Sequence, residues 1–333
     1  IAAAWAGPGE PGGEGPLEDA EGRPFCERLG AELLVPLVTG GRLTGLVALG
    51  PKRGGELYSQ DDVANLQLLA VHSAAQLENV RLYQESLARQ RLETELAVAQ
   101  EIQAHLIPAE PLEVPGARLC GQMESCREVG GDYFDYFALP DGAVGLAIGD
   151  SSGKGVPAAL LMSTLRVAFR SEAAHCREPE TVVARLNLAV CGLDSPGQFI
   201  SFFYGVYTPR DGRLRYCNAG MNPPLLFRHG RPWTEALKIG GPVLGVRSDH
   251  VYRRGAVALR PGDLLLLYTD GLTDEVNGAG EFFDPERLVA IVRKSIPCPL
   301  DELKSAILAA VSAFGAGSRT DDRTLMLLQA NPL

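Results

Sequence analysis

The apolar positions change period along the chain. Between Glu32 and Leu49 they form two short runs, Glu32-Leu-Leu-Val-Pro-Leu-Val38 and Leu43-Thr-Gly-Leu-Val-Ala-Leu49, parted by Thr39-Gly-Gly-Arg42. This is the pattern of a β-hairpin with a Gly-rich turn. After Pro51 and Gly54-Gly55, the run Ser59-Gln-Asp-Asp62 offers side-chain oxygens to cap a helix start. From Asp62 to Ile107 there is neither Pro nor Gly. Leu66, Leu69, Ser73, Leu77, Val80 and Leu87 keep three- and four-residue steps, and Leu92, Leu96, Ala99, Gln103 and Leu106 resume them with a shifted phase. One long helix or two nearly continuous ones are predicted, ending at Pro108 and Pro111. About 45 residues at 1.5 Å each span roughly 65 Å, more than one small domain can cover. The seam therefore asks for a partner helix, as in a dimeric coiled coil with a stutter near Leu87–Leu92. An ordinary amphipathic helix packed on its own domain is the alternative.

Beyond Pro111 the pattern switches to short apolar runs separated by turns. Strands are predicted at 118–123, 131–139, 143–149, 199–207, 213–218, 224–228, 251–259, 263–268 and 325–329, and helices at 157–174, 181–191, 285–294 and 300–314. Many hairpin-linked strands with a few helices between them point to an α+β fold, with stacked antiparallel sheets and flanking helices. Residues 1–24, rich in Gly, Pro, Glu and Ala, read as a flexible arm reaching to about residue 30.

Composition narrows the function classes. The chain has 333 residues, 46% of them hydrophobic, and a net charge of −10. Residues 1–110 carry 8 basic and 16 acidic side chains, and the remainder carry 23 and 25. Neither part offers a clustered basic stripe, so nucleic acid and anionic membrane are not expected partners. No apolar run approaches the roughly 18 residues of a membrane span. The start, Ile1-Ala-Ala-Ala-Trp5, lacks Met and a charged n-region and reads as a fragment or processed chain rather than a signal peptide. Seven Cys without any C-x-x-C spacing suggest reduced thiols and a cytoplasmic location rather than disulfides or zinc.

The chemistry lies in carboxylates. Asp132 follows Gly130-Gly131, Asp141-Gly142 makes a turn, and Asp150 ends the next apolar run, so the two aspartates can sit on neighbouring strands of one hairpin. Asp270 ends the run Leu264–Tyr268, and Asp321-Asp322 precede the last one. A lone Asp beside Gly or Ser is ordinarily a turn residue. Four such positions without nearby cations instead call for divalent metal with oxygen ligands, Mg²⁺ or Mn²⁺. His72, His105, His175, His229 and His250 lie outside motif-like segments, which leaves Ser-His-Asp and Cys-His catalysis without a base. Beyond Pro111 there is no G-x-G-x-x-G, P-loop or H-E-x-x-H.

The segments Glu101-Ile-Gln103 with Leu106-Ile-Pro108, Val129-Gly-Gly-Asp-Tyr-Phe-Asp135, Ile148-Gly-Asp-Ser-Ser-Gly-Lys-Gly155, Phe202-Phe-Tyr-Gly205, Asn218-Ala-Gly-Met-Asn-Pro-Pro224, Tyr268-Thr-Asp-Gly-Leu-Thr-Asp-Glu275 and Thr320-Asp-Asp-Arg-Thr324 occur in this order. Together they make residues 111–330 resemble the SpoIIE-like, RsbU-type branch of the PPM (protein phosphatase 2C) family. The resemblance implies an αββα sandwich and a metal-dependent protein serine/threonine phosphatase. Its substrate would be a phosphorylated STAS-domain anti-sigma-factor antagonist. The resemblance further implies two cations, Mn²⁺ or Mg²⁺, with Asp150 bridging them, the Ser151 carbonyl as a ligand, and Asp132, Asp270 and Asp321 as further ligands; Asp322 rivals Asp321. Arg127 and Lys154 are the candidates for phosphate contact. Met221 stands where the family often has His, and Arg323, where an apolar residue is common, is expected to pair with Asp322. Residues 31–80 resemble the C-terminal part of a GAF sensory domain, and 62–107 would be a helical linker joining two copies as a homodimer. A catalytically inactive interaction module on the same fold and a two-metal phosphodiesterase or nuclease are the rival readings.

Overall fold

The structure, a computed structural model, describes residues 30–193, 197–296, 298–315 and 319–333. The arm expected up to residue 30 lies, apart from Gly30, outside the described residues. The chain divides into two compact units, the first ending at Glu95 and the second spanning Leu96–Leu333.

In the first unit, β1 (Leu33–Thr39) and β2 (Arg42–Leu49) pair antiparallel across a two-residue Gly40-Gly41 loop, as the pattern predicts. Helix α1 (Gln60–Ala104) begins with the expected cap. The Asp62 amide donates to Ser59 Oγ at 3.2 Å, and the Ser59 amide donates back to Asp62 Oδ2 at 2.8 Å. Leu33, Val35 and Leu37 pack with Ala70 and Ala74. Val63 and Leu66, the latter on the predicted seam, also pack against this cluster, whereas the seam residues Leu69, Leu77, Val80, Leu87 and Leu92 are exposed. The helix ends at Ala104, short of the 107 expected, and the unit boundary falls inside it. The last turns belong to the second unit because Gln103 is bonded to Gly130 there and Ile107, just beyond, packs into two of its cores.

The second unit is a four-layer αββα sandwich. One sheet has the order β10 (Thr234–Ala236), β9 (Leu225–Phe227), β13 (Leu264–Tyr268), β14 (Arg323–Ala330), β4 (Ala117–Glu124), β3 (Leu112–Val114). The other runs β11 (Gly240–Gly241), β8 (Arg213–Ala219), β7 (Ile200–Thr208), β6 (Val144–Ser151), β5 (Asp132–Ala138), with β12 (Gly255–Ala258) also on β8. All pairings are antiparallel except β11 with β8. Leu119, Leu146, Ile148, Phe203, Leu265, Leu267, Met326 and Leu328 fill the space between the sheets. The outer face of the second sheet is covered by α2 (Val156–His175) and α3 (Pro179–Cys191), through Phe169, Val182 and Leu186. That of the first sheet is covered by α4 (Asp284–Ser295) and α5 (Leu300–Phe314), through Leu288, Leu303 and Ile307. Strands buried on both faces explain why their sequences read as unbroken apolar runs such as Leu264–Tyr268. No helix among the described residues is long and apolar enough to cross a membrane.

Candidate functional site

The β5–β6 hairpin puts Asp132 directly opposite Asp150. The strand-to-helix turn after Asp150 needs backbone that few residues adopt: Gly153 has φ +96° and Gly155 φ +75°, and Pro157 then opens α2. Asp270 begins a single 3₁₀ turn just past β13, and Asp321 precedes β14. A cavity of about 330 Å³ is lined by Asp150, Ser151, Lys154, Asp270 and Asp321 together with Ser201, Met221 and Asn222.

Asp132 lies behind this cavity, 3% exposed. Its Oδ2 accepts from Thr269 Oγ1 at 2.8 Å and Thr324 Oγ1 at 2.6 Å, so a carboxylate of one sheet is held by hydroxyls from the other. Burial, and next the charge of Asp150, push the Asp132 carboxyl well above its usual range despite these bonds. Burial, then Asp270 and Asp321, push Asp150 up to about 7. Burial and Asp321 likewise raise Asp270. These are carboxylates gathered against their mutual repulsion.

Asp321 and Asp322, adjacent in sequence, are used differently. Asp322 is buried, accepting the Cys126 amide on Oδ1 at 2.7 Å and the Gly131 amide on Oδ2 at 2.6 Å. Asp321 is on the cavity wall, where Lys154 Nζ meets its Oδ2 at 2.8 Å while also donating to the Thr320 carbonyl at 2.6 Å. Arg323 does not pair with Asp322, contrary to the expectation. Both Asp322 oxygens are taken, and the alternation of an extended chain turns Arg323 the other way, to Glu275 Oε2 at 2.6 Å and Ser312 Oγ at 3.0 Å. Arg127 is exposed, and its Nη1 comes within 3.6 Å of where a Cβ on Gly155 would stand; it is near the turn but does not line the cavity. Ser151 is buried, its hydroxyl bonded to the Gly131 and Ala158 carbonyls at 3.1 and 3.2 Å. Met221 accepts from Ser201 Oγ on Sδ at 3.2 Å, and its backbone is fixed by Asn218.

Three participants are absent from the residues singled out by sequence. Thr269 and Thr324, which hold Asp132, each sit one or two positions from a motif aspartate, a signal that was available. Gln103 donates to the Gly130 carbonyl at 2.7 Å and accepts the Gly130 amide at 3.0 Å, tying the end of α1 to the loop before Asp132. The sequence had placed it on the helix seam and in the segment Glu101-Ile-Gln103, without a role at the site.

Among the described residues, no three His, Cys, Asp or Glu side chains already surround one point as metal ligands. In kind, however, the donor set fits hard divalent cations: the charged acceptors on the cavity are carboxylate oxygens, they raise one another's pKa, and among the described residues a single ammonium, Lys154, offsets them there.

The family described as Stage II sporulation protein E (SpoIIE) matches residues 140–331. Protein IcfG of Synechocystis sp. is 24% identical over 264 residues, covering 71% of this chain and 42% of that protein. Phosphoserine phosphatase RsbU of Bacillus subtilis is 25% identical over 241 residues, covering 72% and 71%. The chain thus spans under half of one of these relatives and about seven-tenths of the other. The SiaA-PP2C domain of Pseudomonas aeruginosa superposes with a TM-score of 0.64 at 23% identity, over 73% of this chain and 99% of that domain, a likeness of fold.

Proposed function

The chain belongs to the SpoIIE family, and from that premise we propose that its second unit is a metal-dependent protein serine/threonine phosphatase. The observation that carries this reading is the gathering of Asp150, Asp270 and Asp321 from separate segments on one cavity wall, with Asp132 opposite Asp150 behind it and Lys154 the only cation on that wall among the described residues. The name of RsbU, a phosphoserine phosphatase, supports phosphoserine as the substrate group. The four aspartates and the Ser151 carbonyl would hold two Mn²⁺ or Mg²⁺ ions, which when bound lower the pKa of water and offset phosphate charge. The chain's own groups do the rest. Asp322 and the threonines fix the carboxylates, and Lys154 exchanges Asp321 for a phosphoryl oxygen. Arg127, beside the Gly155 turn, offers a guanidinium for the same anion. The partner would be a phosphorylated STAS-domain anti-sigma-factor antagonist, and the exposed leucine seam of α1 supports a homodimer through the linker.

The test is phosphate release from a phosphoserine protein with Mn²⁺ and with chelator. Activity should need the cation and vanish in Asp150→Asn, while a variant that stays active removes Asp150 from the mechanism. Asp321→Asn should weaken metal activation with the fold intact. Asp322→Asn should lower thermal stability as well, because two amides lose a charged acceptor.

A further inference from the structure

A second cavity, of about 320 Å³, lies at the opposite end of β13 from Asp270, lined by Arg228, His229, Arg231, Trp233, Ala258, Arg260 and Asp263. Six residues of mostly extended chain lie between Asp263 and Asp270, so the two are at most roughly 23 Å apart, seven steps at about 3.3 Å each. The site is built, not a chance grouping of surface arginines. Asp263, 2% exposed, accepts the His229 amide at 2.8 Å and the Arg260 amide at 2.9 Å, and so clamps the β9–β10 turn to the segment after β12. Arg228 fills the floor, paired with Asp263 at 3.0 Å and Glu235 at 2.8 Å and bonded to the Ala258 carbonyl.

With Asp263 and Glu235 committed to Arg228, the walls keep two guanidinium groups, Arg231 and Arg260. Neither has a side-chain hydrogen bond or an ion pair among the described residues. Beside them stands Trp233, 52% exposed. In a chain of net charge −10, two unpaired guanidinium groups beside an open indole form a cationic island. Guanidinium forks match phosphate oxygens two at a time, and an exposed indole stacks on planar heterocycles. A cavity near 300 Å³ lies at the lower end of the range for small-molecule sites.

We propose that this cavity binds a nucleoside di- or triphosphate, with the base on Trp233 and the phosphates on Arg231 and Arg260. The proposal does not depend on the phosphatase reading. The chain has two tryptophans, Trp5 and Trp233, so the Trp5→Phe variant of the 333-residue chain makes Trp233 the sole indole reporter. Its fluorescence is titrated with ADP, GDP, adenosine and pyrophosphate, with EDTA present to keep metal-bridged binding out of the carboxylate cavity. Expected are saturable quenching by at least one nucleotide, about tenfold weaker binding of adenosine and pyrophosphate, and about tenfold weaker nucleotide binding after Arg231→Gln with Arg260→Gln. Asp150→Asn should leave the titration unchanged. Circular dichroism of the double variant establishes that it is folded; if it is not, each single variant is used. No saturable change up to about 5 mM, at which a Kd corresponds to only about 3 kcal/mol, overturns the proposal. So does nucleotide binding unaltered by the arginine variants, and pyrophosphate binding as tight as nucleotide, which would mean that no base is read.

Discussion

The contact between β5 and α2 allows a prediction with a built-in asymmetry. Asp135 is fully buried, and its oxygens take Arg170 Nε at 2.5 Å and Nη2 at 2.6 Å, with the Tyr133 hydroxyl at 2.5 Å. The guanidinium also lies 4.2 Å from the centroid of Phe137, but the Arg170 side chain is 39% exposed. Arg170→Met therefore strands a carboxylate in the core, whereas Asp135→Asn leaves a cation that can turn its head to water. Breaking a buried pair from the stranded side costs about 3–5 kcal/mol; partial exposure of Arg170 reduces this to about 2–4 kcal/mol. Asp135→Asn should cost about 1–2 kcal/mol, the loss of a charge-assisted hydrogen bond. At about 2 kcal/mol per molar of urea, the two variants should differ in midpoint by roughly 0.5–1 M, with Arg170→Met the less stable. Urea melts of both variants and of the double variant are the assay. An Asp135→Asn penalty equal to or above that of Arg170→Met refutes the argument.

Gln103→Ala removes both bonds to Gly130 and should raise the Mn²⁺ concentration for half-maximal phosphatase activity about tenfold while costing only about 1–2 kcal/mol in a melt; an unchanged metal titration would make the contact merely structural. At Gly271 an added Cβ would stand 1.9 Å from the Asp322 carbonyl oxygen, so Gly271→Ala must displace the backbone and should lower stability by about 1–3 kcal/mol or more, together with activity, as read by melting and phosphate release. Burial pushes the Cys217 thiol up to about 12 and, chiefly by the same cause, Cys120 and Cys126 up to about 11, while Cys298 is exposed. In a timed iodoacetamide reaction followed by mass spectrometry, Cys298 should be labelled at least about tenfold faster than these three, because only thiolate reacts.

Long elements with one consistent period were legible in the sequence. Helix α5 occupies Leu300–Phe314 as predicted, and the Asp141-Gly142 turn set the register that places Asp132 against Asp150. Elements that exist only through tertiary pairing were not. Strand β11 is two glycines with no apolar signal, and it forms because the absent Cβ at Gly240, which would stand 1.9 Å from the Asn218 carbonyl oxygen, lets the chain approach β8. The run from Val251 shrinks to Gly255–Ala258, since Val251, Arg253 and Arg254 are exposed and lie outside the paired register, the Arg253 amide donating singly to the Gly240 carbonyl at 3.2 Å. Strands β3 and β10 are likewise three-residue additions at a sheet edge.

The division between Asp321 and Asp322 lay beyond sequence for a related reason. Adjacent residues on extended chain face opposite ways, and which one faces the cavity depends on the register of β14 against β4, Arg323 opposite Glu124. That register also explains why the site spans both sheets. Asp322, before the first sheet's β14, holds the Gly131 amide leading into the second sheet's β5, while Thr269 and Thr324 of the first sheet hold Asp132 of the second. The bonds run in both directions between the sheets, so a shift in sheet packing must move Asp132 relative to Asp270 and Asp321. Gln103 grips Gly130, the residue before that Gly131 amide. A displacement of the last turn of α1 therefore has a hydrogen-bonded route to the carboxylate cluster that does not pass through the hydrophobic core.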